Sequence, residues 1–241
     1  MNNTNNIVKN YGIMILQEGS ILYHTSYEKN LSNINEYQKE FLFCTFHPSE
    51  YGINCDYVRF VRLKKDIKLF FMIDNIKNKN LTFLNSSFNH FFETCKINLS
   101  FINGNKQIKF INILKTKKFN GWFSTINNNG TNIEIALFND KSLYDFVETR
   151  ELILDWNNWN GKTKYLDTGY TYKITTLNKP ITLIINDKYK NNINKLIEKI
   201  FINSKLKPKT IFDIIIYNAN ILYFNDNNTI INADNAINKY L

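Results

Sequence analysis

The chain has 241 residues, of which 44% are hydrophobic and 15% aromatic, so it can bury a core as one large domain or two small ones and is not a disordered protein. Lys and Arg number 30 against 21 Asp and Glu, and the net charge of +9 favours polyanionic surroundings such as nucleic acid, nucleotides or acidic proteins. The lysines are scattered among asparagines, however, which is more typical of a solvated surface than of a binding stripe.

The composition also indicates the type of genome that encodes the chain and the cellular compartment of the protein. About one residue in six is Asn, Ile and Lys are abundant, and only 8 residues are Gly, a pattern typical of an AT-rich genome, cellular or viral. Cys44, Cys55 and Cys95 form no Cys-x-x-Cys pair and predict reduced thiols in an intracellular protein. No leader-like apolar run follows the N-terminus and no stretch approaches the length of a membrane span, so we expect a soluble, cytoplasmic protein with no membrane partner.

Short apolar runs separated by turn residues predict a β-rich first part of the chain. Strands are predicted at residues 13–16, 20–23, 41–46, 57–63, 67–73, 106–114, 122–126 and 133–138. Helical spacing of apolar residues predicts helices at 27–39 and 88–95. Asp140 is expected to cap a third, short helix that carries Leu143, Phe146 and Val147.

The composition changes to Trp, Asn, Gly and Thr around residues 155–169, which marks a predicted domain boundary. Residues 1–155 would form one domain, and residues 156–241 a small α/β C-terminal element. In the latter we expect a strand at residues 181–185, a helix at 187–203 and a strand pair at 211–217 and 221–224. The apolar face of the helix would consist of Ile193, Leu196, Ile197, Ile200 and Phe201.

Because brief turns join most of the predicted strands, we expect an α+β protein. Its β core would be split and largely antiparallel, with few short helices. Common nucleotide, metal and nucleophile motifs are absent: the sequence has no Gly-x-Gly-x-x-Gly, P-loop, His-Glu-x-x-His or Gly-x-Ser-x-Gly pattern. A zinc site would have to be assembled from His24, His47, His90 and scattered cysteines, so no metal site is predicted.

Three β-associated features remain, and they follow one another along the chain. The first is Leu-Tyr-His-Thr-Ser at residues 22–26, and the second is Phe-Cys-Thr-Phe at 43–46, with Tyr51 beyond it. The third is Ile-Glu-Ile-Ala-Leu at residues 133–137, after Asn-Gly-Trp at 120–122.

Glu134, in the third feature, interrupts an apolar strand. A carboxylate there is costly to bury unless it has partners or a task. An outward-facing position remains the alternative, since Ile133 and Ile135 would then face inward together.

In order and spacing, these features resemble the ADP-ribosyltransferase superfamily, in particular its His-Tyr-Glu branch, which includes the poly(ADP-ribose) polymerases. In that branch the first strand ends in a His followed by a small or hydroxyl residue, the second motif is an aromatic strand with a Ser or Thr and a tyrosine beyond it, and the last is a strand-borne Glu. The resemblance covers roughly residues 13–150, and the family's tyrosine would be either Tyr37 or Tyr51.

The resemblance implies that NAD is the substrate and that ADP-ribose is transferred to a protein or nucleic-acid acceptor. Glu134 and His24 would be catalytic, and Glu134 would stabilise an oxocarbenium-like ribose from beside its 2′-hydroxyl. His24 would also hydrogen-bond the ribose, and the backbone beside Thr25 would hold the carboxamide. Thr45 would be the hydroxyl residue of the second motif, and Tyr51 would stack on nicotinamide. No metal is implied.

Two other classes of function remain open. One is a catalytically inactive, transferase-like binding or structural module, which is favoured by Thr25 standing where the family often has Gly. The other is a basic protein that binds nucleic acid through one strand pair, and an RNA-directed transferase would combine this with the enzyme. The basic strand pair would be lined by Arg59, Arg62, Lys64, Lys65 and Lys68.

Overall fold

Strands predominate in the part of the chain that the computed structural model describes. That part consists of residues 11–27, 41–46, 55–74, 82–83, 106–125, 133–151, 153–154, 165–166, 179–202 and 211–225. Its strands are β1 (Tyr11–Leu16), β2 (Ile21–Ser26), β3 (Phe41–Cys44), β4 (Tyr57–Leu63), β5 (Ile67–Asp74), β6 (Thr82–Phe83), β7 (Gly121–Thr125), β8 (Ile133–Phe138), β9 (Tyr144–Glu151), β10 (Ile153–Leu154), β11 (Tyr165–Leu166), β12 (Ile181–Asn186) and β13 (Asn220–Phe224). Its helices are α1 (Lys106–Thr116), α2 (Lys190–Ile202) and α3 (Ile211–Asn218), with a 3₁₀ turn at Asp187–Tyr189 before α2. Among the described residues, no helix is long and apolar enough to cross a membrane.

The strands form two principal sheets. Seven of them make a mixed sheet in the order β13-β12-β1-β5-β7-β8-β3, and the short β6 pairs with β5. Neighbours in this sheet are antiparallel except for β12–β13 and β5–β7, which are parallel. The second sheet, β2-β4-β9, is antiparallel, and β10 pairs with β11. The prediction of a mostly β chain with few short helices is confirmed for the described residues.

The main sheet is covered on both faces near its middle. Residues 13–16 of β1 are each only 1–2% exposed, although successive side chains of a strand point to opposite faces. Residues 135–137 of β8 are likewise 0% exposed. Such continuous apolar runs bury more surface per residue than an alternating strand does, which explains why these strands are the easiest to find in the sequence.

Most predicted strands are confirmed with small shifts at their ends. These are the strands predicted at residues 13–16, 20–23, 41–46, 57–63, 67–73, 122–126, 133–138 and 181–185. The helix predicted at 187–203 corresponds to the 3₁₀ turn and α2. The helices predicted at 27–39 and 88–95 fall on residues that, apart from Tyr27, lie outside the described part of the chain.

The strand predicted at residues 106–114 is wrong, because this segment forms α1. Ile111 and Leu114, three residues apart on one helix face, are 5% and 1% exposed. β5 and β7 are parallel neighbours, and two parallel strands require a crossover connection rather than a tight turn. α1 lies in that connection.

The strand pair predicted at residues 211–217 and 221–224 is also wrong in its first member, which is α3. The apolar, β-branched run reads locally as a strand, but Ile215 and Ile216 are buried as parts of a helix. β13 runs parallel to β12, and α2 and α3 form the crossover between them. Since β12 also pairs with β1, strands from both sides of residue 155 lie in one sheet. The division into two domains stays a prediction.

The short helix predicted after Asp140 is wrong as well. Asp140 instead accepts a hydrogen bond from the Ser142 backbone N–H in a turn, and β9 follows. Where β9 pairs with β4 the register shifts by one residue, so that Val147 is the extra residue of a β-bulge. Phe146 and Val147 are 41% and 45% exposed on this strand, so their spacing does not reflect a buried helix face.

We expect Ile193→Ala to lower the free energy of unfolding by about 3 kcal/mol, because it leaves a cavity between α2 and the sheet. Ile193 is 0% exposed, and α2 is tied to β13 by the Tyr223 hydroxyl, which donates to Asn194 Oδ1 at 3.3 Å. Urea unfolding followed by circular dichroism measures the change. Lys195→Ala, on the exposed side of α2, is the control and should change stability by less than about 0.5 kcal/mol. Equal stability of both variants would mean that α2 is not packed on the sheet.

Candidate functional site

A tight turn carries the chain from the main sheet into the second sheet. Gly19 adopts a left-handed φ of 80°, and Ser20 N donates to Gln17 O at 3.1 Å. The turn is held against the end of β4 by two backbone bonds, Gly19 N to Leu63 O at 2.8 Å and Leu63 N to Ser20 O at 2.9 Å. As a result β1 pairs with β5 in the main sheet, whereas β2 pairs with β4 in the second.

The two sheets meet where β2 lies beside β3. Tyr23 N donates to Thr45 O at 3.0 Å, and Thr45 N donates to Tyr23 O at 2.8 Å. β3 in turn pairs with β8. This bridge brings β2, β3 and β8 side by side although they belong to different sheets, and we call the place where they meet the sheet junction.

His24 lies at the sheet junction and is 6% exposed. Its Nδ1 is 2.7 Å from the Phe43 carbonyl oxygen, and because a carbonyl only accepts, Nδ1 must carry the proton of this hydrogen bond. Burial lowers the pKa of His24, the bond to Phe43 opposes that effect, and the positive charge of Arg59 lowers the pKa further. The ring is therefore neutral at neutral pH, and its Nε2 is a hydrogen-bond acceptor.

Arg59 is the buried cation of the site. It lies directly opposite His24 in the pairing of β2 with β4, is 3% exposed, and donates from its guanidinium to the Ser26 hydroxyl. The sequence analysis assigns Arg59 only to a basic surface. Strand alternation does not reveal the burial of Arg59, since its neighbours Val58 and Phe60, which have the opposite parity, are buried as well.

The low pKa of His24 has a consequence for stability. A neutral buried ring disfavours protonation in the folded state, so stability should be greatest above the ordinary histidine pKa of about 6.5 and should fall as the pH drops below it. NMR of the imidazole nitrogens from about pH 8 to about pH 5 should show the Nδ1–H tautomer and a titration midpoint below that value. His24→Gln should flatten the dependence of unfolding free energy on pH. A midpoint at or above the ordinary value would contradict the burial of this ring.

The two described cysteines have raised pKa values, which disfavour the reactive thiolate. The Thr25 side chain is hydrogen-bonded to the Cys55 thiol, and burial still raises the pKa of Cys55 above its ordinary value. Burial also raises the pKa of Cys44, which is 1% exposed in β3. Both shifts favour the protonated thiol, and since the thiolate is the reactive form, they lower the reactivity of these cysteines. Both are free cysteines, and Cys95 lies outside the described residues.

Glu134 and Thr45 lie on the neighbouring strands of the sheet junction. β3 pairs with β8 through Cys44 and Ile135, so the antiparallel register continued by one residue puts Thr45 opposite Glu134. Thr45 is 2% exposed. On its other side Glu134 pairs with Ser124 of β7. The backbone of Glu134 is therefore about two strand spacings, or about 10 Å, from that of Tyr23.

The sheet junction thus places side by side the backbone segments that carry four of the five predicted site residues, with Glu134 in the cross-strand row of Tyr23, one residue before His24. His24 and Thr25 are on β2, Thr45 follows β3, and Glu134 is on β8. Tyr51 lies outside the described residues, as does the alternative Tyr37, and the assignment of either as the stacking tyrosine stays a prediction. Among the described residues, no three His, Cys, Asp or Glu side chains lie close enough together to hold a metal ion.

The basic strand pair of the sequence analysis is not formed. β4 and β5 follow each other along the chain but belong to different sheets, and Arg59 is buried rather than solvent-facing. Arg62 and Lys64 are exposed, but both lie close to the Asp145 carboxylate, at 4.0 Å and 3.4 Å. This surface therefore has mixed charge and does not form a basic stripe.

Comparison with known proteins identifies no relative. No protein-family model matches the chain, and no curated protein or solved structure matches it. The chemistry available at the sheet junction is therefore the basis for assigning a function.

Proposed function

We propose that this chain is an ADP-ribosyltransferase-like enzyme that cleaves NAD and transfers its ADP-ribose to a protein or nucleic-acid acceptor. One observation carries the proposal: β2, which bears His24, and β8, which bears Glu134, lie on either side of β3 and of Thr45, which directly follows β3. The resemblance to the His-Tyr-Glu branch rests on the order of these residues along the chain. Their arrangement on adjacent strands supports it independently of that order.

The reaction needs a carboxylate where positive charge develops. When the bond between ribose C1′ and the nicotinamide nitrogen breaks, its electron pair leaves with nicotinamide and the ribose becomes oxocarbenium-like. We assign Glu134 to the ribose 2′-hydroxyl, where its negative charge stabilises this state. A nucleophilic oxygen or nitrogen of the acceptor then bonds to C1′ and releases its proton to solvent or to a base.

His24 has the properties of a group that binds and orients the ribose. Its Nδ1–H is committed to the Phe43 carbonyl, which leaves Nε2 to accept a hydrogen bond from a ribose hydroxyl. The neighbouring charge of Arg59 helps to keep the ring neutral and so preserves that acceptor. In the same proposal the backbone beside Thr25 holds the carboxamide and Tyr51 stacks on the nicotinamide ring.

We further propose that residues 156–241 form a small α/β element without chemistry of its own, in a cytoplasmic protein. The parallel pair β12–β13 with α2 and α3 between its strands supports this, since it is the connection typical of α/β units. The element would stabilise the main sheet beside β1, away from the β3 edge where the candidate site lies.

The test of the proposed function is whether the purified protein binds and consumes NAD. Titration calorimetry measures binding, and chromatography measures nicotinamide release, alone and with RNA or cell extract as acceptor. Labelled NAD then identifies the product that carries ADP-ribose. Binding with nicotinamide release supports the enzyme, whereas binding without release indicates a catalytically inactive, transferase-like module. Neither binding nor release would overturn the proposal.

A further inference from the structure

Four lysines lie near one another where α1 ends, and only one of them, Lys68, belongs to the predicted basic strand pair. Three of them, Lys115, Lys117 and Lys118, belong to the last turn of α1 and the residues after it, and the fourth, Lys68, comes from β5. Lys68 reaches this place because its backbone bonds Asn120 twice: Lys68 N donates to Asn120 Oδ1 and Asn120 N donates to Lys68 O, at 2.9 Å and 2.8 Å. We call the four lysines the lysine cluster.

Two of the four ammonium groups of the lysine cluster, those of Lys68 and Lys115, are held by contacts within the protein. Lys68 Nζ lies 3.5 Å from the Lys117 carbonyl oxygen and 4.7 Å from the centre of the Phe119 ring. Lys115 Nζ lies 5.3 Å from the centre of the Phe138 ring. Lysines at the end of a helix also benefit from its dipole. Ordered side chains lose less entropy when they bind a ligand than fully mobile ones do.

The helix end itself has a defined geometry. Lys118 adopts a left-handed φ of 59°, and Phe119 N donates to Leu114 O at 2.9 Å, which closes α1. A lysine in this conformation is uncommon, because Gly or Asn adopts it at less cost. Gly or Asn would therefore fit the end of α1 more readily than Lys118 does, but Lys118 adds a positive charge there.

Like charges are crowded in the lysine cluster. Burial lowers the pKa of Lys68, and the charges of Lys118 and Lys117 lower it further. In the sequence, residues 94–133 contain no Asp or Glu, and the only charged residues in that stretch are Lys96, Lys106, Lys109, Lys115, Lys117 and Lys118. The exposed basic residues of β4 and the following turn differ, since Asp145 lies beside Lys64. The pKa of Asp140 is lowered mainly by hydrogen bonds from Ser142 and further by the nearby charge of Lys65.

We propose that the lysine cluster binds the phosphate backbone of a nucleic acid. Several ammonium groups close together match successive phosphates of one chain, and each contact releases a condensed counterion. Phe119 and Phe138, the aromatic rings under Lys68 and Lys115, are 4% and 8% exposed, so they cannot act as a platform for base stacking or insert into a membrane. The contacts are therefore to phosphate and independent of base sequence.

This surface does not depend on the NAD site. Phe138 ends β8 four residues after Glu134, so the lysine cluster lies about 14 Å along that strand from the candidate catalytic residue. A nucleic acid held there would pass near the sheet junction. Binding is nevertheless a separate property, which would persist in a protein that does not consume NAD.

The variant that tests this proposal is the triple substitution Lys115→Gln, Lys117→Gln and Lys118→Asn. Asn is used at position 118 because it tolerates the left-handed conformation. Fluorescence anisotropy with a labelled single-stranded RNA at graded salt should show affinity weakened by roughly tenfold to a hundredfold at low salt. The slope of log Kobs against log salt should become shallower by about 2, and two RNAs of different sequence should be affected equally.

The matched control removes the same charge elsewhere, by Lys64→Gln, Lys65→Gln and Lys141→Gln, all at exposed positions. It should keep most of the RNA affinity, and circular dichroism should show both triple variants folded. Equal weakening in the two variants would overturn the proposal, because net charge alone would then explain binding. Vesicles of phosphatidylserine and phosphatidylcholine provide a second arm: loss of vesicle binding with unchanged RNA binding in the first variant would also overturn it, in favour of a lipid surface.

Discussion

Replacing Glu134 with glutamine is expected to lower NAD turnover by roughly two or more orders of magnitude and to leave NAD affinity nearly unchanged. Glutamine has nearly the same shape as glutamate, so the pairing of β8 with β7 and β3 should be kept. It lacks the negative charge that stabilises the oxocarbenium-like ribose, so the cost falls on the transition state rather than on the bound substrate. Nicotinamide release under saturating NAD measures turnover, and calorimetry measures affinity.

The matched control for this prediction is Glu151→Gln. Glu151 is exposed at the end of β9, opposite Tyr57 of β4. Its substitution removes the same charge outside the sheet junction. Its turnover should equal that of the parent. If Glu134→Gln and the parent consume NAD at the same rate, Glu134 is not the catalytic carboxylate, even if the protein proves to be a transferase.

The second large effect is expected from Gly121→Ala, which should lower the free energy of unfolding by about 4 kcal/mol or more. Gly121 has a φ of 156°, and a Cβ built on it would lie 1.9 Å from the Ala136 carbonyl oxygen. The Cβ would be fixed to the backbone of β7, and the oxygen belongs to the paired backbone of β8, so no side chain can rotate to relieve the clash. Because Ala136 is two residues from Glu134, the shift should also disturb the candidate site. Urea unfolding measures the loss of stability.

Gly19→Ala separates this clash from the strain of a left-handed backbone. Gly19 has a φ of 80°, but its Cβ would meet nothing nearer than Lys179 Cε at 3.5 Å, the far end of a flexible side chain. Only the conformational cost of about 1 kcal/mol should remain. If Gly121→Ala costs no more than Gly19→Ala, β7 and β8 do not approach each other as closely as described.

The candidate site shows which of its features can be predicted from the local sequence pattern. His24, Thr25 and Glu134 stand out in the sequence because polar residues interrupt or end apolar runs, and Thr45 is added by the resemblance to the His-Tyr-Glu branch. Their proximity could not be read there, because it depends on a bridge between Tyr23 and Thr45 that joins two sheets. Arg59 was missed for a related reason: a cation in a strand is normally solvent-facing, and only the register opposite His24 makes it part of the site.

By itself the sequence determined where most strands lie and that α2 has one apolar face. Both are local properties, since strand and helix periods and turn residues act within a few positions of the chain. The tertiary structure decided the rest. The apolar residues at 106–114 and 211–217 are compatible with either a helix or a strand. These segments are helical because β5–β7 and β12–β13 are parallel pairs, which need a crossover connection. Strand order, the junction between the sheets and the lysine cluster likewise arise from pairings between residues far apart in the chain, which no local pattern encodes.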